Sequence, residues 1–213
     1  MDKKNYKIIA NFFFEMGMLK RQREEGPAMA GIMSDATSIA DHSMRAALIA
    51  YFLGMLENAD AKECALMCLF HDLPETRTLD LHKVAARYID TREAEREAFN
   101  EQIYNLPEKL KNQLKYYWEA TEKRNTKEGI IAKDADWLEH AVSAREYIVL
   151  GYKGMQNWID NVKKALETDS AKKLLAIIEK SDLNDWYSGL KRMTYKKIKG
   201  KNVLRVKKHK RGG

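Results

Sequence analysis

Apolar positions along the chain recur at intervals of three and four, the spacing that lines one face of a helix. Tyr6, Ile9, Phe13, Met16 and Leu19 outline a first helix, and Gly26-Pro27 and Gly31 mark a loop after it. Thr37 or Ser38 is placed to cap a second helix. Its run SIADHSMRAALIAYFLGML is apolar almost all round, which predicts a central, buried helix. AKECALMCLF, residues 61–70, reads as a third. Because Pro74 disfavours helical geometry at Leu73, this helix is expected to stop close to His71-Asp72. A short helix over Leu81–Asp90 and helical segments at about 91–105, 107–122, 127–153, 155–167 and 170–190 follow. No stretch alternates at period two for long enough to demand a strand, and no internal repeat is present. The pattern predicts an all-α protein, a single-domain helical bundle over residues 1–190 with a flexible tail over 191–213.

Composition changes this picture at only a few points. The 213 residues are enough to bury a sizeable core, and only three prolines and eleven glycines interrupt them. No segment approaches the roughly 20 consecutive apolar residues that span a membrane. MDKKNYKIIANFFF lacks the cleavage site of a signal peptide and reads as the first helix. Two cysteines, Cys64 and Cys68, are too few for a disulfide framework and point to the cytoplasm. The formal net charge of +7 comes from the tail, where residues 191–213 hold eleven Lys/Arg and no acid. The remaining 190 residues carry 27 basic and 31 acidic side chains, a net of −4. A tail of this kind is either a solvated end or a contact for nucleic acid or a membrane surface. It has no aromatic after Tyr195 on which a base could stack, which weakens the second reading.

Three stretches could carry chemistry. The first is His42, preceded by Asp41, within the least polar helix. The second is FHDLPETRTLD, residues 70–80, where a helix ends in His71-Asp72 before a proline turn. A histidinium suits a helix C-terminus but a carboxylate there does not, so Asp72 calls for a compensating cation. The third is AKDADWLEHA, residues 132–141, with Asp134 and Asp136 on an otherwise apolar helix. Together they supply two imidazoles and two carboxylates from three helices. Such a nitrogen and oxygen set suits one divalent ion of Mn, Fe, Co, Ni or Zn better than Mg. His140 follows Asp136 by one helical turn and reads as a neighbour of the site, not as a ligand.

The order of SIADHS, HDLPE with Asp80 behind it, and KDADWLE resembles the HD-domain metal-dependent phosphohydrolases, closest to the branch that includes the 5′-deoxyribonucleotidases. The resemblance runs over roughly residues 15–150. It implies a helical bundle of the HD type whose metal ligands are His42, His71, Asp72 and Asp136, the last because ADWL fits the family's A-D-x-L context. It also implies Glu75 as general base or proton relay, and Asp80 as the group that orients the leaving oxygen or Glu75. An Arg ahead of the first His contacts the phosphate in that family, which nominates Arg23. Arg45, one turn after His42, is a second candidate, for the phosphate or for pairing with a site carboxylate, and Arg77 a third. Pro27 stands where the family has a tryptophan. The implied reaction is hydrolysis of (deoxy)nucleoside 5′-monophosphates to nucleoside and phosphate by a homodimer. Nucleoside triphosphates or cyclic phosphodiesters are the alternative substrates, and nucleic-acid binding through the tail is the alternative function.

Overall fold

The computed structural model describes residues 2–34, 36–190, 194–198 and 201–205. The chain divides into two units, Met1–Lys180 and Ser181–Gly213. The first is helical: α1 (Lys3–Met16), α2 (Ile39–Leu56), α3 (Ala61–Phe70), the single turn α4 (Glu75–Thr78), α5 (Thr91–Ile103), α6 (Glu108–Lys123), α7 (Lys127–Val149), α8 (Gln156–Ala165) and α9 (Asp169–Ile178).

Helix α7 is the axis on which α2, α3, α6, α8 and α9 pack. Its alanines 132, 135, 141 and 144 are fully buried, and such small side chains let neighbouring helices approach closely. Ser38 caps α2 through a reciprocal bond with Asp41, and Asp60 caps α3 by accepting from the Lys62 and Glu63 amides. The two helices form an antiparallel hairpin, so the start of α2 lies opposite the end of α3. Close contact at the closed end depends on Gly54. A Cβ there would sit 2.7 Å from the Ala61 Cα.

A second core of Leu19, Ile39, Leu73, Phe99, Ile103, Leu106 and Trp118 backs the loop that follows α3. Phe99 stacks on Trp118 with ring centroids 4.7 Å apart. From α5, the Gln102 amide donates to the Leu73 carbonyl at 2.8 Å and to the Thr76 hydroxyl at 2.6 Å. Arg77 pairs with Glu15 at 2.5 Å and Glu101 at 3.0 Å, so it ties α4 to α1 and α5 and makes no contact suited to a phosphate. The loop is therefore fixed by packing on one side and by polar bonds on the other.

Three expectations from the sequence need correction. Helix α2 is buried along one face only: Ala46, Ala50 and Leu53 are fully covered, but Met44, Leu48, Tyr51, Phe52 and Met55 are exposed. Packing on α3 and α7 uses a single side of the helix, and its apolar opposite side is left uncovered in this chain. The helix expected over Leu81–Asp90 is only a 3-10 turn at Ala85–Arg87, because ten uncapped residues are too few to hold a helix alone. The helix expected over 170–190 ends at Ile178. Beyond it the Asp182 and Asp185 side chains accept from nearby backbone amides, a local alternative to the helical ladder. The all-α class holds for the bundle, and the second unit adds a short hairpin to it. That unit contains the turn α10 (Asp185–Ser188) and an antiparallel hairpin of β1 (Thr194–Ile198) and β2 (Lys201–Arg205), with Thr194 opposite Arg205 and Ile198 opposite Lys201. Five residues per strand is too short a run for alternation to stand out in the sequence. Apart from this hairpin, the positions of the expected flexible tail lie outside the described residues.

The Gly54→Ala exchange tests the α2–α3 contact. The added methyl meets backbone, so the helices must separate at a cost of ~1–3 kcal/mol. The expected result is a lower midpoint in denaturant with an unchanged slope.

Candidate metal centre

Four side chains meet where the start of α2, the end of α3 and the middle of α7 come together. The His42 Nε2 lies 3.4 Å from the His71 Nε2, 3.5 Å from an Asp72 oxygen and 3.2 Å from an Asp136 oxygen. The His71 Nε2 lies 3.1 Å from the same Asp72 oxygen and 3.4 Å from the same Asp136 oxygen. Ligands held about 2.0–2.1 Å from one ion are spaced by about 2.9–3.4 Å in octahedral or tetrahedral geometry. The observed spacing of 3.1–3.5 Å is that of a ligand shell.

The remaining nitrogens make the same point. The His71 Nδ1 is 2.6 Å from the Cys68 carbonyl, which can only accept, so this nitrogen carries the proton. The His42 Nδ1 is 2.6 Å from Glu139, whose carboxylate is fully buried. Burial opposes the charge on Glu139, but His42, His140 and Arg45 outweigh it and hold the group down to about 2. It is an anion that accepts, and His42 donates to it. Both imidazoles thus turn Nε2 toward each other and toward two carboxylates, an arrangement that a cation, a proton or a metal ion, satisfies. Burial works against charge on His42 as well, yet Asp136, Glu139 and Asp72 raise its pKa well above the ordinary value. A field that favours a proton at this point also favours a metal ion. The residues present fit a divalent metal.

Around this cluster, Glu139 is fixed in turn by Arg45, with the guanidinium 2.7 Å from one carboxylate oxygen. Arg45 also bonds Glu146 at 2.8 Å and the Ser143 hydroxyl at 2.5 Å. Its donors are engaged by the groups that orient His42, so of its two expected roles Arg45 takes the carboxylate pairing. Arg23 is exposed and bonds the Ala36 carbonyl at 3.2 Å. It is not among the residues that line the cavity beside the cluster. Lys133 takes up the position expected of an arginine, lining that cavity with its ammonium 2.8 Å from Asp136.

The structure separates the two acidic candidates on α7. Asp136 faces the histidines. Asp134 faces away and accepts from the Glu167 and Thr168 amides and the Thr168 hydroxyl, so it ties the α8–α9 connection to α7. Glu75 and Asp80 both line the cavity. Burial and the charges of Asp72, Asp80 and Glu95 push the Glu75 carboxyl well above its usual range. Asp80 accepts from the Glu25 amide at 2.7 Å and anchors the loop before Gly26. It caps no helix.

Sequence reasoning missed Glu24, Lys133 and Glu139 and undervalued His140. The His140 ring stacks on His42 with centroids 4.6 Å apart, between Glu24 at 3.1 Å and Asp136 at 3.4 Å. Burial and His42 oppose its charge, but Asp136 and Glu24 prevail and push its pKa up to about 10. Glu24, His42, Glu139 and His140 also lie close enough to surround an ion. The His42 Nδ1 that this group would require already donates to Glu139, so the group orients His42 and is not a second ligand shell. The spacing of Lys133 and Glu139 to either side of Asp136, three residues each way, was the only signal in the sequence that they share its face.

Comparison with known proteins agrees with this geometry. A model of the HD domain matches residues 16–178, more than half of the chain. The chain belongs to the HD-domain family. The HD domain of this chain is similar to the human protein 5′-deoxynucleotidase HDDC2, with 28% identity over 148 residues, 68% of this chain and 71% of the relative. The Bos taurus protein of the same name is 28% identical over 142 residues, 65% of this chain and 67% of the relative. These bear out the resemblance drawn from the order of the motifs. Among solved structures, a conserved hypothetical protein of Pyrococcus furiosus is 26% identical at a TM-score of 0.68, covering 81% of this chain and 99% of its own. A predicted metal-dependent phosphohydrolase of Magnetospirillum magnetotacticum MS-1 shares the fold at 19% identity and a TM-score of 0.65, with 82% and 90% covered.

Loss of an outer carboxylate that orients a ligand histidine lowers metal affinity by roughly 10–100-fold. Glu139→Ala is expected to do so in a competition titration against a chromogenic chelator. Unchanged affinity would mean that Glu139 does not orient His42.

Proposed function

We propose that this HD-domain protein is a metal-dependent phosphohydrolase that releases phosphate from (deoxy)nucleoside 5′-monophosphates, with His42, His71, Asp72 and Asp136 as the metal ligands. The observation that carries the reading is the convergence of two Nε2 atoms 3.4 Å apart, each 3.1–3.5 Å from an Asp72 oxygen and an Asp136 oxygen, beside a cavity of about 470 Å³. The names of the human and bovine relatives support the monophosphate substrate.

A divalent ion, when bound, polarises the phosphoryl group and acidifies water. The protein's own residues supply the rest. Water attacks phosphorus, the bond to the ester oxygen breaks, and one proton moves from the water to the departing hydroxyl. Glu75 handles that proton from its place on the cavity wall, a role worth roughly 10²–10⁴-fold in such reactions. Asp80 keeps the loop of residues 24–27 against the cavity through the Glu25 amide. Lys133 and the His140 cation offset the charge of the phosphoryl oxygens, the part first sought among the arginines.

Cys64 and Cys68 are buried free thiols, and Cys68 donates to the Ala132 carbonyl, which supports a reducing compartment such as the cytoplasm. Among the described residues no helix is long and apolar enough to cross a membrane. Homodimerisation is supported by the exposed stripe of Met44, Leu48, Tyr51, Phe52 and Met55 on α2. It runs along one helix, so a second copy can cover it with the same stripe about a twofold axis.

Two experiments test these statements. Asp72→Ala is expected to lose both bound metal and phosphate release from deoxynucleoside 5′-monophosphates. Full activity in that variant would refute the site, whereas wild-type release of pyrophosphate or triphosphate from nucleoside triphosphates would reassign the substrate. Leu48→Glu is expected to convert a dimer to a monomer in light scattering after size exclusion. A wild-type monomer would overturn the α2 interface.

A further inference from the structure

Away from the histidines, the cavity wall changes character. Pro27, Met29, Met155 and Trp158 make it apolar, and Asn157 and Asn161 are exposed at its edge. Asn161 sits one turn after Asn157 on α8, with their amides 3.5 Å apart. Trp158 is half-buried, and its indole faces Gly26, where a Cβ would lie 3.5 Å from Nε1.

The short segment Glu24–Pro27 connects the two walls. Glu24 bonds His140 at 3.1 Å through one carboxylate oxygen. Its other oxygen is buried and has no hydrogen-bond partner, although Glu24 lines the same cavity. Gly26, two residues on and so within about 7 Å along the backbone, lies against Trp158. In order, the cavity presents a cluster suited to a phosphate, a buried acceptor with no donor, and an aromatic face edged by two amides. A molecule that matches this order has a phosphate, then a hydroxyl-bearing linker, then a flat ring with hydrogen-bonding edges.

We propose that Glu24, Trp158, Asn157 and Asn161 form the nucleoside-binding subsite, in which a sugar hydroxyl donates to the free Glu24 oxygen, the base packs on Trp158 and the two amides meet its edge. This proposal rests on the phosphomonoesterase reading of the metal centre. Aromatic recognition here comes from α8, a part of the chain in which the sequence carries no motif for it. Stacking on one aromatic side chain changes affinity by roughly 5- to 150-fold per base.

Deoxyadenosine, which has no phosphate to lose, tests the subsite independently of turnover, and 2-deoxyribose 5-phosphate tests the phosphate end without a base. By calorimetry on the full chain loaded with manganese, Trp158→Leu is expected to weaken deoxyadenosine binding by roughly 5- to 150-fold. Trp158→Phe is expected to retain most of the affinity. Both variants are expected to hold metal and to process 2-deoxyribose 5-phosphate as the wild type does. Equal binding of deoxyadenosine by Trp158→Leu and wild type would overturn the proposal, as would an equal loss with both ligands. If circular dichroism shows that Trp158→Leu is unfolded, the exposed pair Asn157→Ala/Asn161→Ala decides: weaker deoxyadenosine binding supports the subsite, and unchanged binding overturns it. Failure of the wild type to release phosphate from either ester would sink the phosphomonoesterase reading while leaving the deoxyadenosine result to judge the subsite.

Discussion

The site depends on one constraint: two imidazoles are held with their Nε2 atoms 3.4 Å apart and turned toward the same two carboxylates. The protein maintains the arrangement by fixing the opposite nitrogen of each ring. For His71 the partner is a carbonyl of its own helix, three residues back. For His42 it is Glu139 from α7, a buried anion kept ionised by its neighbours. Asp72 and Asp136 then add negative charge where the two Nε2 atoms meet. A centre of this kind has a strong preference for a cation, and it occupies the point where three helices of the bundle converge.

The surrounding fold serves that convergence. Small residues along α7 and the close approach at Gly54 bring α2 and α3 in, and their antiparallel course sets the start of one beside the end of the other. Pro74 ends α3 so that Asp72 can turn toward the centre, and Gln102 and Arg77 hold the following turn from two sides. Asp134 shows how closely structural and functional roles are interleaved. Two residues from Asp136 on the same helix, it is used to tie down the α8–α9 connection.

Much of this was legible in the sequence. The periodicity and breakers gave α3 its bounds and α2 its cap, and the three short motifs nominated the residues that the fold brings together. What could not be read falls into two kinds. The first concerns partners supplied by distant segments. Arg45 looks available for phosphate until Glu139 and Glu146, about a hundred residues away, take its donors. Lys133 looks like an ordinary helix lysine until the cavity forms around it. The second concerns exposure. An apolar helix such as α2 reads as buried, and only the packing reveals that one side has no cover within the chain.

The most direct measurement is anomalous X-ray diffraction at the metal edge from crystals grown with manganese. The account predicts one strong peak within bonding distance of the Nε2 atoms of His42 and His71 and of carboxylate oxygens from Asp72 and Asp136. A peak held instead by Glu24 and His140, or no peak together with the four side chains turned away from each other, would contradict it.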